Sequence, residues 1–206
     1  MNIIIWAAGI GSGMWPMANE KMPQQFIKIL KNENNEYESM FQRIYKQITK
    51  VYSKDKIYVV INKGYEKIIK KQVGGGIKFI VEPLFQNKNL SIINAALYLK
   101  EHNVNISQES IVFLSTDFYA HMDFYTNIRK IERIIEKDKN PIAILGIKKD
   151  KYYKRYKYIY EKDGKVLEFV NSVTIANLRD VVKRKVIING DVIVLNLEFF
   201  INFIKK

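Results

Sequence analysis

The residues best placed to do chemistry form a glycine-rich run near the start of the chain. Ala7-Ala8-Gly9-Ile10-Gly11-Ser12-Gly13-Met14-Trp15-Pro16 directly follows the short apolar stretch Asn2–Trp6. A glycine-rich turn behind a first strand lets backbone N–H groups approach phosphate oxygens. The run 7–16 is therefore a candidate phosphate-binding loop, the plain alternative being a tight turn with no ligand. The run lacks both the Lys-Ser/Thr ending of a P-loop and the GxGxxG spacing of a dinucleotide site, so those two readings are set aside. Asp117 closes another apolar stretch. It is either a Mg²⁺ ligand, since Mg²⁺ takes one or two carboxylates together with phosphate oxygens, or a turn or N-cap aspartate. Trp15 could stack on a base, but an aromatic behind such a loop reads as core. His121 has no obvious carboxylate partner and reads as a surface or turn residue.

Composition removes other chemistries. The 206 residues contain no cysteine and two histidines, which excludes a disulfide scaffold, a thiolate nucleophile and a His-rich metal site. With 48% hydrophobic residues the chain has material for a core and is not globally disordered. No run of about 18 apolar residues occurs, and 1–6 is no signal peptide; a cytoplasmic protein without membrane partners is the expectation. The formal charge of +13 suggests anionic ligands. Only six of the 34 basic residues are Arg, the preferred reader of phosphates and guanine edges, and the abundance of Ile, Lys and Asn points to codon bias. Lys148 to Lys157, with its interleaved tyrosines, has the composition of a nucleic-acid surface. A solvated loop and edge strand is the favoured reading.

These residues need a scaffold, and the pattern supplies one. Stretches 2–6, 57–61, 77–81, 111–114 and 142–145 are β-branched and nearly continuous in apolar character, as in strands buried on both faces. Between them lie helical patterns: 39–51, with Met40, Phe41, Ile44, Ile48 and Val51 on one face and Ser39/Gln42 as a capping box; 64–72, closed by Gly74-Gly75-Gly76; 90–100, with Ile93, Ala96, Leu97 and Lys100; and 124–136, with Ile128, Ile131, Ile134 and Ile135. Such alternation predicts a parallel sheet covered by helices. After Asp150 the pattern changes. Stretches 156–161 and 166–170 flank Lys162-Asp163-Gly164-Lys165, a hairpin signal. A helix (174–182), a strand (186–195) and a last helix (197–204) capped by Asn196 follow. One domain spanning 1–206 is expected.

Trp15-Pro16 is followed, eight residues after the Trp, by Pro23-Gln24-Gln25-Phe26. Here the chain resembles the mannose-1-phosphate guanylyltransferase family of sugar nucleotidyltransferases, whose signature reads A-G-G-x-G-x-R-L-W-P and then P-K-Q-F at this spacing. Further blocks match in order. Glu82-Pro83-Leu84-Phe85-Gln86-Asn87 is similar to E-P-x-x-R-N, Leu114-Ser115-Thr116-Asp117 to L-P-A-D, and Gly146-Ile147-Lys148 to G-I-K-P. Arg155-Tyr156-Lys157-Tyr158-Ile159 stands where G-Y-G-Y-I is expected, Phe169-Val170-Asn171-Ser172 where F-V-E-K is, and Ile188-Asn189-Gly190 where W-N-S-G is. The resemblance implies a three-layer α/β nucleotide-diphospho-sugar transferase fold, Rossmann-like, with a mostly parallel central sheet. It implies the reaction of GTP with mannose 1-phosphate to give GDP-mannose and pyrophosphate, with Mg²⁺. By the same resemblance Ala8, Gly9, Gly11, Ser12, Gly13 and Gln24 would hold the nucleotide, Asp117 the metal, and Tyr158, Asn189 and Gly190 the sugar.

Four positions that are cationic in the resembled family are neutral here: Gly13, Gln24, Gln86 and Ser172. Joining two anions is a reaction whose barrier is lowered chiefly by charge neutralisation, so no residue is assigned as catalytic, and Lys21, Lys28 and Lys88 are the neighbouring cations that could take over. The family's later S-D-V-G-S-W-like block, with its second metal-binding Asp, and its β-helix or cupin-like extension have no counterpart, so the resemblance is to a shortened relative. Two functions follow: an active, divergent guanylyltransferase, or an inactive relative that binds a nucleotide or nucleotide sugar, or that regulates a partner transferase. A homo-oligomer is compatible with either, and a nucleic-acid-binding module is a distant third.

Overall fold

The computed structural model describes residues 1–9, 14–83, 87–102, 105, 107, 109–138, 141–148, 156–170, 178–184 and 186–205. In chain order the elements are β1 Asn2–Trp6, β2 Lys28–Lys31, β3 Tyr37–Ser39, α1 Met40–Thr49, β4 Ile57–Asn62, α2 Glu66–Val73, β5 Lys78–Glu82, α3 Lys88–Glu101, β6 Ser110–Ser115, α4 Met122–Asp138, β7 Ile142–Ile147, β8 Tyr158–Lys162, β9 Lys165–Val170, α5 Leu178–Lys183, β10 Ile187–Asn196 and α6 Leu197–Ile204. Two compact units share them. The first holds 1–143 and 194–206, the second 144–193, and the chain passes between them within β7 and within β10.

In the first unit four strands run parallel in the order β5-β4-β1-β6. Ile3, Ile4 and Ile5, Val59, Val60 and Ile61, and Ile111 to Leu114 are all buried. The absence of polar alternation in these strands follows from that two-sided burial, and each such side chain removed from water contributes about 1.5–3 kcal/mol. The register places Trp6 beside Ser115 and Val60, and Asn62 beside Glu82. The carboxyl ends of all four strands therefore lie along one edge, the edge at which open α/β sheets take ligands.

The helices gather in two sets, α1 with α2 and α4, and α3 with α6. Helix α1 starts where the sequence places it. Ser39 Oγ accepts from Gln42 N at 3.1 Å and Gln42 Oε1 accepts from Ser39 N at 3.0 Å. Its buried face is Phe41, Ile44, Tyr45 and Ile48. Two faces differ from expectation. In α3 the buried residues are Ser91, Ile92, Ala95, Ala96 and Leu99, so Ile93 and Leu97 lie off the core face; the buried face combines two larger aliphatics with three small residues. In α4 Ile128 and Ile135 are buried, but Ile134 is half exposed. The hairpin of β2 and β3 has no counterpart in the apolar pattern. Among the described residues no helix is long and apolar enough to cross a membrane.

In the second unit β8 and β9 form the expected hairpin. Asp163 and Gly164 have φ of 51° and 75°, the left-handed pair that a two-residue turn requires. β10 pairs antiparallel with β8, and Tyr158, Val181, Val186 and Ile188 form its core. The described part of the helix expected at 174–182 is α5.

Candidate functional site

β1 hands over to the glycine run through two alanines small enough to be wholly buried, Ala7 and Ala8. Ala7 N still donates to Val60 O at 2.9 Å, as a last rung of the ladder. Beyond it the carbonyls are tethered by side-chain amides. Gln25 Nε2 donates to Ala7 O and to Gly9 O, both at 2.7 Å, and Asn62 Nδ2 donates to Ala8 O at 2.7 Å. In a trans peptide the N–H is antiparallel to the preceding carbonyl. Fixing Ala7 O and Ala8 O thus fixes the planes of the two peptides that carry the Ala8 and Gly9 N–H groups.

Gln25 is itself well held. It sits with Gln24 and Phe26 in a single 3-10 turn. The Phe26 ring packs edge-on against Phe41 and Tyr65, each at 5.6 Å between centroids, and Phe26 O accepts from Gln72 Nε2 at 2.7 Å. The Tyr65 hydroxyl donates to Glu20 O at 2.9 Å.

The same turn brings Gln24 to Asp117, 93 positions away in sequence, with Gln24 Nε2 donating to Oδ1 at 3.2 Å. Ser115 Oγ donates to Asp117 Oδ2 at 3.1 Å, and Thr116 Oγ1 to Trp6 O at 3.2 Å. Asp117 is exposed just beyond β6. Each of its oxygens accepts from a neutral donor and keeps further acceptor capacity. A lone carboxylate of this kind suits a Mg²⁺ that arrives with nucleotide phosphates. Among the described residues no three His, Cys, Asp or Glu side chains cluster for a cation.

On the far side of β1, Trp6 donates from Nε1 to Ser91 Oγ at 3.0 Å, and its ring carries the Lys88 ammonium 5.0 Å from the centroid. Glu82 is buried at the end of β5, with neither carboxylate oxygen in a hydrogen bond of ordinary geometry among the described residues. Burial pushes its carboxyl up, and the Ser91 and Asn94 side chains pull it back only in part.

Of the candidate site residues, Ala8, Gly9, Gln24 and Asp117 belong to the carboxyl edge of the first unit. Gly11, Ser12, Gly13, Gln86 and Ser172 lie outside the described residues, as does most of the basic tyrosine-rich stretch. Tyr158, Asn189 and Gly190 belong to the second unit. There the Tyr158 side chain is buried in the core, Asn189 Oδ1 accepts from Asp191 N at 3.0 Å, and a Cβ on Gly190 would meet Leu145 O at 3.0 Å. Trp15 is not core: 79% of it is exposed, because it stands on a surface turn with Met17. His121 is exposed, its ring edge-on to Tyr119. Gln25, Asn62, Trp6 and Ser91 are site residues that the sequence reading misses. Asn62 carries a signal all the same, as a polar residue closing a buried apolar strand.

Residues 2–171 match the nucleotidyl transferase family. The chain belongs to it. The chain shares its fold with solved structures at low identity. One is described as a mannose-1-phosphate geranyltransferase from Thermus thermophilus, with TM-score 0.80, 15% identity, and coverage of 100% of this chain and 60% of that one. Another is described as a mannose-6-phosphate isomerase from Helicobacter pylori, with TM-score 0.75, 18% identity, and coverage of 100% and 75%. A third is a CMP:2-keto-3-deoxy-manno-octonic acid synthetase complexed with CTP, with TM-score 0.69, 15% identity, and coverage of 99% and 77%. The chain thus spans 60% of the length of the Thermus protein. No curated protein matches it by sequence.

Proposed function

We propose that this chain is a sugar nucleotidyltransferase acting on a nucleoside triphosphate and a sugar 1-phosphate, with GTP and mannose 1-phosphate as the pair that the family resemblance implies. The observation that supports the proposal is the tethering of the Ala7, Ala8 and Gly9 carbonyls by Gln25 and Asn62, which holds the start of the glycine run at the carboxyl edge of the sheet, where Gln24 reaches Asp117. In the reaction an oxygen of the sugar phosphate attacks the α-phosphorus, the α–β phosphoanhydride bond breaks, and pyrophosphate leaves. The backbone at Gly9 would lie against the phosphates and Gln24 would hold Asp117 in place, whereas the Tyr158 side chain, buried in the core of the second unit, is not available to a sugar. Asp117 would hold a Mg²⁺ that neutralises charge on the phosphates when bound.

Binding of a nucleotide or nucleotide sugar without turnover is the second reading, and one observation favours it. Gln24 stands where the resembled family has lysine, and its neutral amide is engaged with Asp117. Incubation with mannose 1-phosphate, each NTP and Mg²⁺, following pyrophosphate, separates the two. Turnover on the order of 1 s⁻¹ or more supports the enzyme. No turnover, with GTP or GDP-mannose bound in calorimetry, supports the binder, and neither turnover nor binding refutes both.

A further inference from the structure

We propose that Arg43 is a positioning residue for Asp117, acting through the Tyr119 ring to hold the segment that joins β6 to α4. The inference rests on the nucleotide-binding reading above, in which Asp117 carries Mg²⁺, and deepens it.

Residues 116–121 lead from the end of β6 at Ser115 to the start of α4 at Met122. Asp117 lies in this connection, outside either element, so its place depends on what holds the connection. Near β6 the holds are hydrogen bonds: Thr116 to Trp6 O, and Ser115 and Gln24 to Asp117 itself. Toward α4 the holds are rings. Phe118 packs on Phe124 at 4.9 Å between centroids, and His121 stands edge-on to Tyr119 at 5.7 Å. Tyr119, two residues beyond Asp117, reaches across to α1. There the Arg43 guanidinium lies 4.3 Å from the centroid of its ring.

Arg43 is a firm support. Its side chain is 15% exposed, and Nη1 lies 3.4 Å from Oε1 of Glu38, a buried carboxylate next to the N-cap of α1. Its charge also acts on Tyr125, in the first turn of α4. Burial pushes the Tyr125 hydroxyl up, and Arg43 offsets this in part. The guanidinium thus bears on α1, on the connection and on the start of α4.

Service to α1 does not account for the residue. Arg43 is the fourth residue of that helix, and a cation so close to an N-terminus opposes the helix dipole. Glu38 has a second cation in Lys46, whose Nζ lies 3.0 Å from Oε2. The contact that asks for arginine is the ring, because a flat guanidinium stacks on an aromatic face and is attracted to it more strongly when partly desolvated.

The test is a calorimetric titration of the full chain with the four nucleoside triphosphates, each in Mg²⁺ and in EDTA. The best-binding one is then taken to Arg43→Met, Tyr119→Ala, Tyr119→Phe and the double variant Arg43→Met/Tyr119→Ala. The readout is the gain in affinity that Mg²⁺ confers. It falls about three- to tenfold in Arg43→Met and in Tyr119→Ala, less than the loss of a direct outer-shell partner costs a metal site. Affinity in EDTA stays within about twofold throughout. Tyr119→Phe, which keeps the ring, keeps the gain. The double variant falls no further than either single one, because both remove the same contact. Arg43→Gln carries the same expectation and stands in if Arg43→Met does not fold. An unchanged gain in Arg43→Met, an equal loss in EDTA, a loss in Tyr119→Phe, or additive losses in the double variant would each overturn the assignment while leaving a nucleotide site. Wild-type binding without any gain from Mg²⁺ overturns the metal role of Asp117, and the assignment with it. Absence of triphosphate binding by the wild-type chain overturns the nucleotide reading itself.

Discussion

Replacing Gln25 by Ala tests whether its side chain sets the loop. The change deletes two hydrogen bonds of 2.7 Å. Ala7 is fully buried, so its stranded carbonyl bears a desolvation penalty of about 1–3 kcal/mol. Gly9 O is partly accessible, and water can replace much of the lost bond, leaving about 0.5–1.5 kcal/mol. The sum is about 1.5–4.5 kcal/mol before any cavity contribution. For a chain of this size that corresponds to a fall in Tm of about 3–18 °C. Equilibrium unfolding in urea reads the difference as a lower midpoint at unchanged slope. Two companions sharpen the result. Gln25→Glu presents only acceptors to two carbonyls and will be at least as destabilising at neutral pH. Gln24→Ala removes one longer, exposed contact and will change stability by less than about 0.5 kcal/mol. Gln25→Ala unfolding within about 0.5 kcal/mol of wild type would refute the tethering argument.

Three further outcomes are expected. Asp117→Asn keeps an acceptor for Ser115 but loses its charge; its Tm will stay within about 2 °C, while the Mg²⁺-dependent gain in triphosphate affinity, titrated with and without the ion, disappears. Glu82 has a raised carboxyl pKa in the fold, caused first by burial. The folded state therefore holds a proton that the unfolded chain releases above its ordinary value, and stability declines as pH rises through that interval. Glu82→Gln will flatten the decline in urea unfolding measured between about pH 4 and 8, and an unchanged pH slope would contradict the assigned cause. Ser39→Ala breaks the capping box of α1 and the 2.7 Å bond from Ser39 Oγ to Gln72 Oε1; thermal melting followed by circular dichroism will register a loss of about 1–2 kcal/mol.

What can be read from the residues alone divides along a physical line. Strands β1, β4 and β6 are legible because burial on both faces demands an unbroken apolar run, and the α1 capping box and the Asp163-Gly164 turn because their geometry tolerates few residue types. The β2–β3 hairpin is hidden because Lys28, Lys31 and Tyr37 are largely exposed, so no apolar period marks it. The α3 face escapes a hydrophobic count because Ser91, Ala95 and Ala96, which weigh little in it, make up most of the buried face. Trp15 reads as core because composition cannot say on which side of a turn a ring falls. At the site, the glycine run and Asp117 stand out by type and position. The Gln24–Asp117 pair joins residues 93 apart, and Gln25 looks like any surface amide until the carbonyls of Ala7 and Gly9 are seen to converge on it.

The anchoring of the loop by residues from two separate elements has a kinetic consequence. Asn62 comes from β4 and Gln25 from the 3-10 turn, so the segment 7–9 takes its final conformation only when both are in place. Its conformational entropy is then lost during folding and not at the moment of encounter. On the nucleotide-binding reading proposed above, a phosphate would meet a backbone already set, its association governed by diffusion and charge rather than by loop rearrangement, and the backbone of residues 6–9 will superimpose in free and liganded forms.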